Sequence, residues 1–318
     1  MPLANTNPKL KDLSKAFASI PNRYSTDTTV FGSTNVKLDF NSHVQGIARA
    51  GRLLIVTHSD ANEPSGLYLL IEGDAIACTR RLPPARDRNP YLNHCGGCQR
   101  IGDYLVIPNE AIFDPLSRVS FFDISDLSTP RELTSPPPID FNRKTGAAGV
   151  ANVTRDGVEY WYLAAYDNGH VMFYKSDGQA FPTTVFGFEF EKEIMDGYQS
   201  FCLLADSDNR LYAFGFRLDA SFRDWVDVWE VLPESKCIEI RASRQFRTNG
   251  VRNVHFRWGA GVDIPSEDRI ELLSTGHVFS RLPVAATGDV QAWEELERSV
   301  SEEDLSFKPR CHIDTFGP

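Results

Sequence analysis

This sequence of 318 residues predicts an all-β chain closed into one ring of small four-stranded sheets. Three observations carry that expectation. A turn followed by a hydrophobic strand recurs five times, at Gly51-Arg52-Leu53-Leu54-Ile55-Val56, Gly102-Asp103-Tyr104-Leu105-Val106-Ile107, Gly157-Val158-Glu159-Tyr160-Trp161-Tyr162, Asn209-Arg210-Leu211-Tyr212-Ala213-Phe214 and Asp268-Arg269-Ile270-Glu271-Leu272-Leu273. Each copy leads to a second, aromatic-rich strand: Gly66–Leu70, Arg118–Phe122, His170–Tyr174, Trp225–Trp229 and Asp289–Trp293. The pentapeptide Thr28-Thr29-Val30-Phe31-Gly32 returns as Thr183-Thr184-Val185-Phe186-Gly187, an offset close to three repeats.

The turns step by 51, 55, 52 and 59 residues, the length of one four-stranded sheet with its loops. A period of roughly that size marks a β-propeller rather than a string of separate domains. The expectation is a single propeller of five blades, with six as the second choice. Its parts are an N-terminal extension at 1–27, blades at 28–300 and a C-terminal tail at 301–318. Each blade runs from an inner strand A through B and C to an outer strand D. β-Branched and aromatic runs bounded by Gly, Asp, Asn and Ser are strand signals. The proline-rich stretches at 82–84 and 135–138 fit outer loops, because proline cannot donate to a sheet ladder. Short helices are expected near Leu10–Ile20 and Trp293–Val300.

The pentapeptide repeat speaks to closure. Its second copy falls where the outer strand of the third sheet belongs. By analogy the first copy is the outer strand of the last sheet, beside Asp289–Trp293. A ring closed by strands from both chain ends leaves no open sheet edge.

Composition narrows the function. The chain is 42 % hydrophobic, enough for a sizeable core, and carries a net charge of −10. That charge argues against nucleic acid and anionic membranes as partners, and a small molecule is the expected one. No apolar run is long enough for a membrane span or a secretory leader. Six scattered cysteines suggest reduced thiols and a cytoplasmic setting. The oligomeric state is not legible.

In a propeller the D-to-A and B-to-C connections share one face, where ligands commonly bind near the axis. His43, His94 and His255 fall at the starts of inner strands, and His58, His170 and His277 in B-to-C connections. Only His312 stands outside this pattern. Imidazoles serve both acid/base chemistry and metal binding near neutral pH. The expected catalytic groups are His43, His94, His255, Glu110 and Asp167. The expected substrate contacts are His58, Asn109, Tyr166, Tyr198, Gln199, Arg217, Arg252, Asn253, Arg257 and Trp258. An arginine there would hold a carboxylate or phosphate through paired hydrogen bonds.

No cofactor is favoured. Zinc or iron held by His43, His94 and His255 is the alternative. In principle it is similar to the carotenoid-oxygenase propellers, whose axial histidines hold iron. This chain is much shorter than those and lacks their motifs. Cys95-Gly96-Gly97-Cys98 has no second half for a zinc site, and its glycines suit close approach of inner strands. A nucleophilic Cys95 beside His94 is the sharper reading of the same run.

The chain resembles the propeller superfamily over nearly its whole length, through period and strand pattern. Five-bladed glycosidases of that superfamily carry acidic residues on inner strands, and Val44–Ala48 and Ala147–Ala151 carry none. The leading expectation is a soluble enzyme that acts on a small organic molecule by acid/base chemistry, of hydrolase, lyase, isomerase or cyclase type. Propellers among natural-product cyclases make a biosynthetic role a fair analogy. The alternative is a lectin-like or other ligand-binding propeller. A lectin tends to repeat one site per blade, whereas the equivalent positions here are His58, Asn109, Tyr166, Phe216 and Thr275.

Overall fold

A computed structural model describes residues 8–32, 43–60, 63–84, 91–195, 197–277 and 310–318. The chain opens with a short helix, α1 (Leu13–Ser19), and strand β1 (Thr26–Phe31). Asp12 caps the helix, its side chain accepting from the Lys15 amide at 2.9 Å. Leu13, Ala16 and Phe17 are its buried face. Phe17 packs edge-on against Phe214, with ring centroids 5.6 Å apart. Burying a side chain of that size contributes about 1.5–3 kcal/mol, which fastens a helix too short to hold by itself.

Apart from two short 3-10 turns at Pro233–Ser235 and Gly250–Arg252, the remaining described elements are strands in antiparallel runs. β2 (Val44–Ala50), β3 (Leu53–His58), β4 (Leu67–Glu72) and β5 (Ala75–Arg81) form the first unit. The second has a broken inner strand, β6 (His94–Cys95) and β7 (Gln99–Ile101). They pair with β8 (Tyr104–Glu110), then β9 (Ser117–Asp123), which carries β10 (Arg131–Glu132) and β11 (Ile139–Phe141). The third is β12 (Ala147–Arg155), β13 (Val158–Asp167), β14 (His170–Ser176) and β15 (Phe186–Glu193). The fourth is β16 (Tyr198–Ala205), β17 (Leu211–Leu218), β18 (Asp224–Leu232) and β19 (Cys237–Phe246). The last is β20 (Val254–Ser266), β21 (Arg269–Gly276), β22 (Arg310–Phe316) and β1. The turn residues of the repeat do what the sequence asks of them. Gly51, Gly102, Gly157 and Asn209 all take left-handed backbone conformations at the A-to-B hairpins.

Closure follows the expected route with a different partner. β1 is the outer strand of the last unit, running antiparallel to β22 from Thr26 opposite Thr315 to Phe31 opposite Arg310. Residues 310–316, read from sequence as part of a tail, are therefore the third strand of that unit. The strand expected at Asp289–Trp293 and the helix expected at Trp293–Val300 lie outside the described residues. The second copy of the pentapeptide is only partly strand, since Thr183–Val185 lead into β15 and Phe186–Gly187 open it. β1 also meets β5 through one parallel pair, Phe31 with Ala75.

Inner strands pack against one another around the ring, β2 with β7, β7 with β12, β12 with β16, β16 with β20, and β20 with β2. Buried apolar side chains collect between successive units. Phe201 and Trp229, for example, pack with Tyr162 and Tyr166 between the third and fourth. This is a β-propeller.

The axis is filled rather than hollow. A Cβ on Gly46 would lie 2.6 Å from the Cys98 nitrogen, and one on Gly149 would lie 2.5 Å from that of Leu203. The small inner-strand residues thus serve close packing, in line with the close approach read from the glycines of Cys95–Cys98, and leave no room for a cavity at Gly46 or Gly149. Gln99 bridges two neighbouring inner strands. Its amide nitrogen donates to the carbonyls of Val150 and Leu203, at 3.0 and 2.7 Å, and its amide oxygen accepts from their nitrogens, at 3.0 and 2.9 Å.

Candidate active site at the start of the inner strands

Three histidines meet where β2, β6 and the end of β21 come together. The His43 ring lies 5.1 Å from that of His94 and 5.0 Å from that of His277, centroid to centroid. The backbone fixes this grouping. Val44 N–H donates to the His277 carbonyl at 2.8 Å, and Ser59 N–H donates to the His43 carbonyl at 2.8 Å. His94 opens β6 directly opposite Glu110, the last residue of β8.

Irregular inner strands aim side chains toward this end of the ring. Gln45 stands at a register shift in β2, and Gln199 at the equivalent shift in β16. A longer irregularity in β20 between His255 and Ala260 holds Arg257 and Trp258. Bulges of this kind re-aim side chains beside sites.

The buried Gln45 amide nitrogen sits 2.9 Å from His94 Nε2 and also contacts His43 Nε2. An amide nitrogen donates to both rings only if each is neutral with its proton on Nδ1. In that state the Nδ1 of His43 faces Ser59 Oγ at 3.3 Å. The Nδ1 of His94 faces Glu110 Oε1 at 3.0 Å, outside hydrogen-bond geometry as it stands. Burial pushes His43 down to about 2, reinforced by its proximity to His94, His277, His58 and Arg257. Burial, then His58 and Arg257, pushes His277 down to about 3. Both rings are therefore uncharged near neutral pH.

The wall is aromatic with one cation. Trp258 lies against His277, centroids 3.9 Å apart, and its indole N–H donates to Asn253 Oδ1 at 3.1 Å. The exposed Arg257 guanidinium stands 4.9 Å above the Trp258 ring. It forms no ion pair with a carboxylate of the described residues.

Other expected site residues are engaged elsewhere. His255 contacts Asp224 at 2.9 Å, and that buried carboxylate also accepts from Thr248 and the Phe256 amide. Among the described residues no group of three or more His, Cys, Asp or Glu side chains is arranged to hold a metal ion. The structure brings His43 and His94 together with His277, while His255 is engaged with Asp224. Asp167 contacts Arg143 at 3.2 Å, and burial raises its pKa. Arg143 in turn joins Glu191, which contacts His170.

His58 is fully buried, its Nδ1 2.7 Å from the Ser59 carbonyl, and burial pushes it down to about 4. Asn109, Tyr166, Phe216 and Thr275, the other four blade-equivalent positions, are buried as well. The Tyr166 hydroxyl accepts from the Gly169 amide at 2.9 Å. Tyr198 and Arg217 both bond the buried Asp227, at 2.7 Å each. Arg252 pairs with Asp27 at 2.7 Å, and His312 bonds Thr29 at 3.1 Å. Cys95 and Cys98 are buried thiols pushed up to about 12 by burial, so neither is an activated nucleophile.

Sequence reasoning placed His277 on this face but left it out of the site, and it missed Gln45, Ser59 and Asp224. The signal for Gln45 was present, a polar residue between His43 and the apolar run of an inner strand.

No protein-family model matches the chain, and no curated protein matches it. Among solved structures it is similar to the catalytic domain of a GH62 α-L-arabinofuranosidase from Coprinopsis cinerea. That match has 12 % identity and a TM-score of 0.51, and covers 93 % of this chain and 98 % of the other. It is also similar to the α-L-arabinofuranosidase PaAbf62A from Podospora anserina, solved with cellotriose. There the identity is 10 % and the TM-score 0.51, over 93 % and 98 % of the two chains. At these identities the likeness concerns the fold, a propeller-like one.

Proposed function

We propose that this chain is an enzyme that acts on a small organic molecule by acid/base chemistry, of the hydrolase type, at the mouth built by His43, His94 and His277. The carrying observation is Glu110 facing His94 Nδ1 while Gln45 occupies the Nε2 side. A water or substrate hydroxyl that takes the place of the Gln45 amide meets a basic imidazole nitrogen. The carboxylate behind the ring then stabilises the imidazolium that forms. His43 and His277 remain neutral and add hydrogen-bonding capacity without positive charge.

The substrate class follows from the wall. Arg257 suits a carboxylate, and the Trp258–His277 pair suits an apolar or ring-shaped body. No metal takes part in this reading, and the reduced, cytoplasmic setting is part of it, supported by six free cysteines.

The test is turnover of a panel of carboxylate-bearing esters, lactones and aryl glycosides by the parent, H94A, E110Q and H312A. The expected result is activity on the carboxylate-bearing members, lost by at least about a hundredfold in H94A and kept in H312A. Full activity in both H94A and E110Q would overturn the assignment. Binding without turnover would favour the ligand-binding alternative.

A further inference from the structure

A second cleft, of about 450 Å³, opens beside the connection from β19 to β20. It is lined by Arg23, Tyr24, Arg247, Thr248, Asn249 and Gly250, none of which belongs to the histidine mouth. Arg23 and Arg247 are direct partners in an isolated parallel bridge, and the Arg247 N–H donates to the Asn22 carbonyl at 2.7 Å. Their side chains thus leave neighbouring positions toward one concavity.

The Thr248 and Asn249 side chains of the cleft are already used. Thr248 Oγ1 donates to Asp224 at 2.6 Å, and the Asn249 side chain donates to Asp27 at 3.2 Å. Neither guanidinium pairs with a carboxylate of the described residues. Like charges at directly paired positions repel each other. The carboxylates beside the cleft, Asp224, Asp27 and Asp314, accept from Thr248 and Asn249 rather than from either arginine, so the repulsion between the two guanidinium groups is not offset by a direct ion pair. A bound dianion relieves that repulsion and accepts paired hydrogen bonds from both forks.

We infer that this cleft binds a phosphoryl group. The volume exceeds that of a phosphate ion and falls in the range of small-molecule sites. Tyr24 provides an aromatic wall for the rest of the ligand, its ring set by an edge-on contact with Phe316 at 6.4 Å. The ligand class is therefore a phosphomonoester or free phosphate.

Calorimetric titration of the full chain at constant ionic strength tests this, with inorganic phosphate and phenyl phosphate as probes. The parent is expected to bind one equivalent saturably, and R23Q/R247Q to bind at least about tenfold more weakly. R80Q, which removes an exposed arginine elsewhere, is expected to bind as the parent does. The single variants R23Q and R247Q keep the test open if the double variant fails to fold. Tighter binding of phenyl phosphate assigns the site to an ester, and equal binding assigns it to free phosphate. Absence of saturable binding up to about 10 mM, or an undiminished affinity in R23Q/R247Q, would overturn the inference. So would a loss in R257Q as large as in the double variant, since the anion would then sit at the histidine mouth.

Discussion

His43 and His277 come from opposite sides of the seam that closes the ring, and their rings stand 5.0 Å apart. One precedes the first inner strand and the other follows the second strand of the last unit. Val44 N–H donates to the His277 carbonyl across that seam. The candidate site therefore exists only in the closed ring.

Closure should accordingly be needed for both stability and site. Deleting residues 1–32 removes α1 and β1, exposes the edge of β22 and opens the core that holds Leu13, Phe17 and Val30. The expected outcome is loss of cooperative unfolding or a melting temperature lower by at least about 10 °C. A truncated chain that kept the parent melting temperature would contradict the seam's role.

Gln99 offers a sharper test of the packed axis. Gln99→Leu leaves four buried backbone groups, the N–H and carbonyl of Val150 and of Leu203, without their amide partner. Each unsatisfied group costs about 1–3 kcal/mol, partly relieved by relaxation, so a loss of roughly 3–5 kcal/mol is expected in urea unfolding. A loss below about 1 kcal/mol would show that the bridge is dispensable.

Asp314 should give the stability a pH signature. Burial, then the neighbouring charges of Asp27 and Asp224, raises its carboxyl to about 7, against Arg252 and the Asn249 amide, which lower it. The unfolded value lies near 3.9. A raised pKa means that its contribution is full below about 4 and disappears as pH climbs to about 7. His43, His58 and His277 have the opposite sign in much of this window, because their lowered pKa values favour folding above about 6.5. The informative quantity is thus the difference between Asp314→Asn and the parent. Relative to the parent, the variant should gain on the order of 1 kcal/mol of stability per pH unit from pH 4.5 to 6.5. A pH-independent difference would remove Asp314 as a titrating group.

The ring was legible in the sequence because its signal is periodic. Turn, strand and aromatic strand recur at fixed steps, and four of the five turn residues adopt the conformation their identity suggests. The third strand of the last unit was misplaced. Cys311-His312-Ile313-Asp314 alternates apolar and polar residues, but Asp289–Trp293 matched the repeat spacing better. In the site, topology brought His43, His94, Arg257 and Trp258 to one end. It did not separate them from His255, Tyr198 and Arg217, whose roles depend on the buried partners Asp224 and Asp227. Such pairs join different strands and leave no local pattern. Gln99 is equally silent, since one polar residue in an apolar strand says nothing of what it bonds, whereas Gln45 at least stood beside His43.

Soaking crystals of the protein with a library of small carboxylates tests the location of the site most directly. Bound fragments are expected beside Arg257 and Trp258, within reach of His94 Nε2, and absent from crystals of R257Q. Fragments that gather elsewhere while this mouth stays closed, or that bind there equally well in R257Q, would contradict the account.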